Sequence, residues 1–367
     1  MRTCDVLVVG CGPVGAVLAA RLAALGAEVV VLERAERPYP LPRAVAADDE
    51  VQHLLAQVDP DLLAGAVPDV PVRLADARGR ELGRIRLPAG PSGHTGLVLF
   101  SQPALEAGLR RTLAGRVELR AGTALAGWTQ DDAHVEAALD DGSRVRARWL
   151  VGCDGAGSLV RSTAGIAWRG RDLARWLVVD VEGAVPRPEL TYTCDPRRPQ
   201  VDMPTPGGHR WEWLLREGEP VPAADVLLAR DVDPASVRML RTALYRYGAR
   251  RAARWRAGRV LLAGDAAHTM PPFAGQGLGA GVRDAYLLAA LLARGDPAGY
   301  EALRAPHVRD MTRLSLLLGG LVETRSTPAA AVRDRVLRGA FRAPALGPWL
   351  GRAGPRRTDS GVLQAAG

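Results

Sequence analysis

The stretch DVLVVGCGPVGAVLAARLAALGAEVVVLER, residues 5–34, constrains the fold more than any other part of the chain. DVLVVG at 5–10 is a short, continuously apolar, β-branched run, the pattern of a parallel strand covered on both faces. It runs into Gly10, Gly12 and Gly15, a GxGxxG turn. PVGAVLAARLAAL at 13–25 then reads as a helix with proline in its first turn and Gly26 after its end. EVVVLER at 28–34 reads as a second strand, closing on Glu33. In such a unit the glycines let the backbone approach a pyrophosphate and the helix N-terminus offers unpaired N–H groups. An acid about 20 residues on accepts ribose hydroxyls. The expectation is a dinucleotide with ADP at one end, and this unit alone does not separate FAD from NAD.

With 367 residues, 47% of them hydrophobic, the chain has room for two domains or for one large α/β domain carrying an insertion. The formal charge of +8 would ordinarily suggest nucleic acid or an acidic membrane as partner. Every basic residue, however, is Arg, and the chain has neither Lys nor Asn, a bias that reports a GC-rich genome before it reports a partner. RRAARWRAGR at 250–259 therefore reads as a solvated face, and no nucleic acid is expected. Cys4, Cys11, Cys153 and Cys194 form no CxxC pair, and His94, His134, His209 and His307 share no ligand spacing, so no metal is expected. Glycines interrupt the apolar N-terminus and no run of about 18 apolar residues follows, which predicts a cytoplasmic protein without a membrane span.

Two further motifs follow the first. WLVGCDGAGSLVR at 149–161 is an apolar strand ending in Asp154-Gly155, with a helix opening at Ser158. RVLLAGDAAHTMPPFAGQG at 259–277 is another strand, closed by Asp265, then a loop stiffened by Pro271 and Pro272 and loosened by Gly275 and Gly277. A carboxylate at the C-terminal edge of such a strand lies where open α/β sheets bind ligands, and it suits a ribityl or ribose hydroxyl. The helix running to residue 293 points its positive end back at this loop, a feature that stabilises a reduced, negatively charged flavin and that neutral nicotinamide does not need.

These three motifs, in this order, resemble the FAD-dependent aromatic hydroxylases of the p-hydroxybenzoate hydroxylase fold, and most of all the 3-(3-hydroxyphenyl)propionate hydroxylase-like branch. Further resembling stretches are YPLPRAVAADDE at 39–50, SQPALEAGLR at 101–110, HRWEWLL at 209–215 and YEALRAPHVRDMTRLSLLLGGLVETR at 300–325. The resemblance implies an α/β fold in which a Rossmann-like FAD-binding domain (1–70, 98–165 and 251–295) carries an inserted mixed β-sheet substrate domain (71–97 and 166–250). C-terminal helices over 296–340 and a tail over 341–367 complete it. It implies Glu33 and Arg34 beside the adenosine ribose, and Arg43 and Gln102 at the pyrophosphate and neighbouring groups. Asp154 and Arg161 would serve both FAD and the nicotinamide donor, Asp265 the ribityl chain, and Pro272, Gly275, Gln276 and Gly277 the flavin ring. The chain departs from the family at Gly248, usually His, and at Tyr286, usually Asn.

The implied reaction uses NADH or NADPH to reduce FAD, forms a C4a-hydroperoxide with O2 and passes one oxygen to a small aromatic substrate. PVRLADARGRELGRIRLP at 71–88 reads as a hairpin turning at Asp76 to Arg80, and WLVVDVEGAV from 176 and HRWEWLLREGE from 209 as strands of a sheet over the flavin. His209, Trp211 and Trp213 are candidate substrate contacts, with core packing the competing assignment for the two tryptophans. Tyr192, Tyr245, Tyr247 and His209 are candidates for the base that takes a phenolic proton. A halogenase is excluded, since that chemistry uses a lysine; Baeyer-Villiger or epoxidising chemistry and a non-catalytic FAD-binding relative stay open.

Overall fold

The computed structural model describes residues 1–38, 40, 45–344, 346 and 349. Its first sheet has a parallel core in the order Val260–Leu262, Arg144–Gly152, Arg2–Val9, Val29–Glu33, Glu118–Ala121. Leu7, Val8, Val30, Val31, Leu150, Val151 and Leu261 are completely buried, which is why these short runs carry no polar alternation. The helices Pro13–Ala24 and Gly277–Ala293 lie against one another, and a Cβ at Gly281 would come within 2.5 Å of the Val14 side chain, so glycine sets their separation. Two antiparallel strands, Leu125–Gln130 and Val135–Leu139, extend the ladder beside Arg144–Gly152.

The second sheet is mixed, as expected. Its order is His268–Thr269, Arg238–Ala252, Trp168–Glu182, Gly208–Leu215, Gln200–Thr205, Leu190–Cys194, Val72–Asp76, Glu81–Ile85, and only the pair Leu190–Cys194 with Val72–Asp76 is parallel. Both of its faces are covered. One buries Leu177, Val179, Trp211, Trp213 and Leu215 under the short helix Ala224–Leu228. The other, called here the inner face, buries Trp176, Val201, Met203, Leu214 and Tyr247 against Phe273 and against Val322 of the long helix Tyr300–Val322. A three-stranded sheet of Ala46–Asp48, Leu97–Leu99 and Val67–Pro68 and the helix Thr327–Arg342 complete the architecture.

Local differences from the sequence reading have simple causes. The helix start expected near Ala44 lies outside the described residues; Ala46–Asp48 pairs as a strand with Leu97–Leu99, and the helix Asp49–Val58 begins where the Asp48 side chain accepts from Val51 N at 3.0 Å. The strand expected from Trp176 begins at Trp168, because Arg238–Ala252 pairs along its whole length. The helix Thr327–Arg342 runs past residue 340, and nearly all of the expected tail lies outside the described residues. Among the described residues no helix is long and apolar enough to cross a membrane.

Candidate active site

The three motifs follow the carboxyl ends of three adjacent parallel strands, and the glycines show what each turn is built for. Gly10 has φ +100°, and a Cβ there would sit 2.5 Å from the Cys153 carbonyl oxygen; at Gly15 it would sit 2.0 Å from the Gly10 carbonyl oxygen. Both are demanded by the chain's own packing. Gly12 is different. Its φ is −70° and an added Cβ would meet nothing within 4 Å, so the fold itself would admit a side chain. The bare backbone at this helix N-terminus leaves room for something outside the chain, and a pyrophosphate fits. Glu33 is fixed at the rim of the turn, accepting from Cys11 N at 2.8 Å and Ala35 N at 2.9 Å, with Arg34 exposed beside it.

Asp154 Oδ2 accepts from Val160 N at 3.1 Å, while its Oδ1 is buried with no hydrogen-bond partner among the described residues. A buried carboxylate oxygen left in this state leaves room for a donor from outside the chain. Arg161 is already committed. It donates to Ala266 O at 2.9 Å and Ala156 O at 2.7 Å and stacks 3.9 Å over the Trp168 ring, so it ties the Asp154 turn to the Asp265 turn.

Asp265 is exposed in the 3₁₀ turn Gly264–Ala266, beyond the end of the strand Val260–Leu262. Behind it lies a buried charge cluster. Asp284 accepts from Gly264 N at 3.1 Å, from His268 Nε2 at 2.6 Å and from Arg304 Nε at 2.8 Å. Burial pushes the Asp284 carboxyl up, but His268 and Arg304 outweigh it and hold it below the ordinary carboxylate value. A second cluster anchors the loop's far end. Gln276 Nε2 donates to Asp48 Oδ2 at 2.9 Å and its Oε1 accepts from Arg283 Nη1 at 3.3 Å, while Arg283 also bonds Asp48 and Glu50. Asp48 is likewise held low: Arg283, Val51 N and Gln276 overcome the effect of its burial. Because both folded carboxyls titrate below their unfolded values, their contribution is complete above about pH 4 and is lost as pH falls through the folded values. Melting temperatures should therefore hold from pH 7 to 5 and fall steeply below 4. A melting temperature that rises on that acidification would contradict these assignments.

Between the clusters, Gly275 takes φ +63° to close the turn Pro272–Ala274, Pro272 is exposed, and Gly277 opens the helix Gly277–Ala293. Phe273 is driven the other way, into the second sheet. Its ring centroid lies 5.9 Å from Trp176, 6.2 Å from Tyr192 and 5.7 Å from Tyr247, and the Tyr192 hydroxyl donates to Phe273 O at 2.9 Å. Phe273→Leu should cost roughly 1–2 kcal/mol of stability, read by urea denaturation, because the box can only partly close on the smaller side chain.

Other candidates sort by face and position. His209, Trp211 and Trp213 are fully buried on the face away from Phe273; His209 Nε2 lies 3.1 Å from Asp202 Oδ1, and the tryptophans pack with Leu227 and Leu228. All three are packed in the core on that face. Tyr247 donates to Glu323 Oε1 at 2.6 Å, joined there by Trp176 Nε1 at 3.2 Å. Tyr245, in contrast, is 41% exposed. Gln102 is buried at the head of the helix Gln102–Leu113, with Nε2 2.6 Å from Glu106 Oε1, and Arg43 lies outside the described residues. Gly248 has no room for the usual His, since a Cβ would lie 2.8 Å from Arg171 O, and Tyr286 donates to Leu54 O beneath the Arg21 guanidinium. The Asp284 and Arg283 clusters escaped the sequence reading. Their signal was an Arg-Asp pair set inside the otherwise apolar run GVRDAYLLAALLA.

This geometry is that of a two-sheet flavin fold, and the comparisons agree. Residues 3–296 match the family model of an FAD binding domain. The chain is 36% identical over 359 residues to the 3-(3-hydroxy-phenyl)propionate/3-hydroxycinnamic acid hydroxylase of Comamonas testosteroni, covering 91% of this chain and 61% of that protein. Against hydroxylase 2 of the same name from Burkholderia vietnamiensis (strain G4 / LMG 22486) it is 37% identical over 370 residues, 93% of this chain and 67% of the relative. The chain thus spans about three fifths to two thirds of these curated relatives. Among solved structures, aklavinone-11 hydroxylase with FAD and aklavinone superposes with a TM-score of 0.77 at 30% identity, covering 88% of this chain and 70% of that one. The p-nitrophenol 4-monooxygenase of Pseudomonas putida DLL-E4 shares the fold over 100% of this chain and 99% of its own, with a TM-score of 0.85 at 24% identity. The chain belongs to the FAD binding domain family, in its group of FAD-dependent aromatic hydroxylases. FAD is the cofactor of this fold, and bare Gly12, unsatisfied Asp154 Oδ1 and exposed Asp265 fit it.

Proposed function

We propose that the chain is an NAD(P)H-dependent flavin monooxygenase that hydroxylates a phenolic or polyketide-like aromatic compound, acting in the cytoplasm on a small substrate and O2. The observation that carries this reading is Phe273: one loop leads into the N-terminus of the helix Gly277–Ala293 and also plugs the inner face of the second sheet. Whatever lies along that loop is brought against the sheet. Gly10, Gly12 and Gly15 with Glu33 and Arg34 would hold the ADP end of FAD, and Arg43 and Gln102 the pyrophosphate region. Asp154 and Asp265 would take hydroxyls, and Pro272 to Gly277 the ring. Bound there, FAD supplies the redox chemistry, accepting electrons from NADH or NADPH and activating O2. The chain's own part is to fix positions, to favour negative charge at the ring through the partial positive charge of the helix N-terminus, and to exclude water with the apolar inner face. The same reading divides the chain into the two units given by the sequence, 1–70, 98–165 and 251–295 against 71–97 and 166–250.

Incubating the FAD-loaded protein with NADH or NADPH, ¹⁸O₂ and a set of phenols that includes 3-(3-hydroxyphenyl)propionate and 4-nitrophenol tests the reading. One labelled oxygen in the product supports it. Nucleotide consumption that yields only hydrogen peroxide with every phenol counts against it.

A further inference from the structure

The inner face of the second sheet carries charge as well as aromatic rings. Across the strands Gln200–Thr205, Gly208–Leu215, Trp168–Glu182 and Arg238–Ala252, register sets Val201, Glu212, Val178 and Ala243 in one row and Met203, Arg210 and Asp180 in the next. In that second row Arg210 grips Asp180 through Nε at 2.7 Å and Nη2 at 3.1 Å, and Arg241 stands 3.7 Å from the same carboxylate. Glu212 is left over. Its carboxylate is 3.7 Å from Arg210, beyond hydrogen-bond reach, and makes no hydrogen bond among the described residues, while its side chain keeps 14% of its surface open. Tyr245 is the nearby phenol on the next strand but one, and Glu212 and Asp265 are the two carboxylates whose charges bear on it. Although 41% of Tyr245 is exposed, burial is the main force pushing its hydroxyl well above the ordinary value.

Resting on the monooxygenase reading, we infer that Glu212 is the catalytic base that takes the proton from the substrate's ring hydroxyl. The step is a plain transfer: the phenol O–H bond breaks, its electron pair stays on the ring oxygen, and the proton forms a new O–H bond on the Glu212 carboxylate, whose open edge later returns it to water. Of the alternatives on this sheet all but Tyr245 are spoken for, and burial holds the Tyr245 hydroxyl in its protonated form. Tyr192 donates to Phe273 O, Tyr247 donates to Glu323, Glu323 already accepts two hydrogen bonds, Asp180 is gripped by Arg210, and His209 lies on the opposite face. The groups facing Glu212 are Arg210 on its own strand, Asp180 on one neighbour and Arg241 and Tyr245 beyond it; the other neighbour presents only Val201 and Met203. Burial raises the carboxyl above its ordinary value against the pull of Arg210, which brings it closer to a phenol and makes it a better proton acceptor.

The experiment titrates the FAD-loaded protein with 3-(3-hydroxyphenyl)propionate and 4-nitrophenol, and with the methyl ether of each, following the flavin difference spectrum. Wild type should bind at least one phenol more tightly than its ether. Glu212→Gln should weaken that phenol about tenfold and leave the ether unchanged, the loss expected when a charged acceptor is removed from a hydrogen bond. Product formed per nucleotide consumed should fall in Glu212→Gln near neutral pH and recover as pH approaches the phenol's own ionisation, and Glu212→Asp should restore part of the neutral activity. Equal phenol and ether binding in wild type, or a Glu212→Gln protein with wild-type phenol preference and pH profile, would overturn the assignment. Phenol preference that depends on Glu212 without any hydroxylated product would leave Glu212 as the hydroxyl acceptor and sink the monooxygenase reading instead.

Discussion

Asp284→Ala is expected to destabilise the protein by about 3–5 kcal/mol, measured as a lower urea midpoint at unchanged slope, because it takes from Arg304 the carboxylate it bonds in a fully buried site. Removing one partner of a buried pair takes away the charge that offsets the other's burial, which costs far more than the pair itself contributes. Here His268 and the amide of Gly264 lose their acceptor as well, so the turn that carries Asp265 loosens with the core beneath it. FAD retention should fall in the same variant. The control is the double change Asp284→Leu with Arg304→Met, which deletes both charges and should recover much of the lost stability. A double variant no more stable than the single one would mean that packing, and not the stranded charge, dominates.

The second large effect separates the glycines of the first turn. Gly15→Ala should cost about 3 kcal/mol and most of the FAD affinity, since its Cβ would lie 2.0 Å from a backbone oxygen that cannot swing aside. Gly12→Ala should leave the apoprotein's melting temperature within about a degree of wild type, because its Cβ meets nothing within 4 Å. Its FAD affinity should nonetheless drop at least tenfold, as the methyl group enters the space proposed for the pyrophosphate. Fluorescence titration of apoprotein with FAD, beside thermal melts, reads both. Gly12→Ala binding FAD as wild type does would remove the reason for assigning this turn to the nucleotide.

How far the sequence reveals this molecule depends on the range of the interactions involved. The Gly10 to Glu33 unit was legible because strand, turn, helix and acid lie within one short stretch and each residue acts on its near neighbours. Asp154 and Asp265 were legible for the same reason, as carboxylates closing apolar strands. The two tryptophans of HRWEWLL show where legibility ends. Their spacing correctly puts them on one side of a strand, but both sides of this sheet are buried, so apolar alternation does not say which side meets the cofactor. The charged residues that alternate with them, Arg210 and Glu212, lie on the inner face, the reverse of the usual expectation that charge points to water. Asp48, some 230 residues from Arg283 along the chain, is a partner that only the fold brings near.

The most direct test of the whole account is anaerobic rapid mixing of the FAD-loaded protein with NADH or NADPH while the flavin absorbance is followed, with and without 3-(3-hydroxyphenyl)propionate or 4-nitrophenol. The account predicts bleaching by at least one nucleotide and marked acceleration by at least one phenol, as the loop carrying Phe273 connects the two halves of the site. Flavin that binds tightly yet is reduced by neither nucleotide, under any of these conditions, would contradict it.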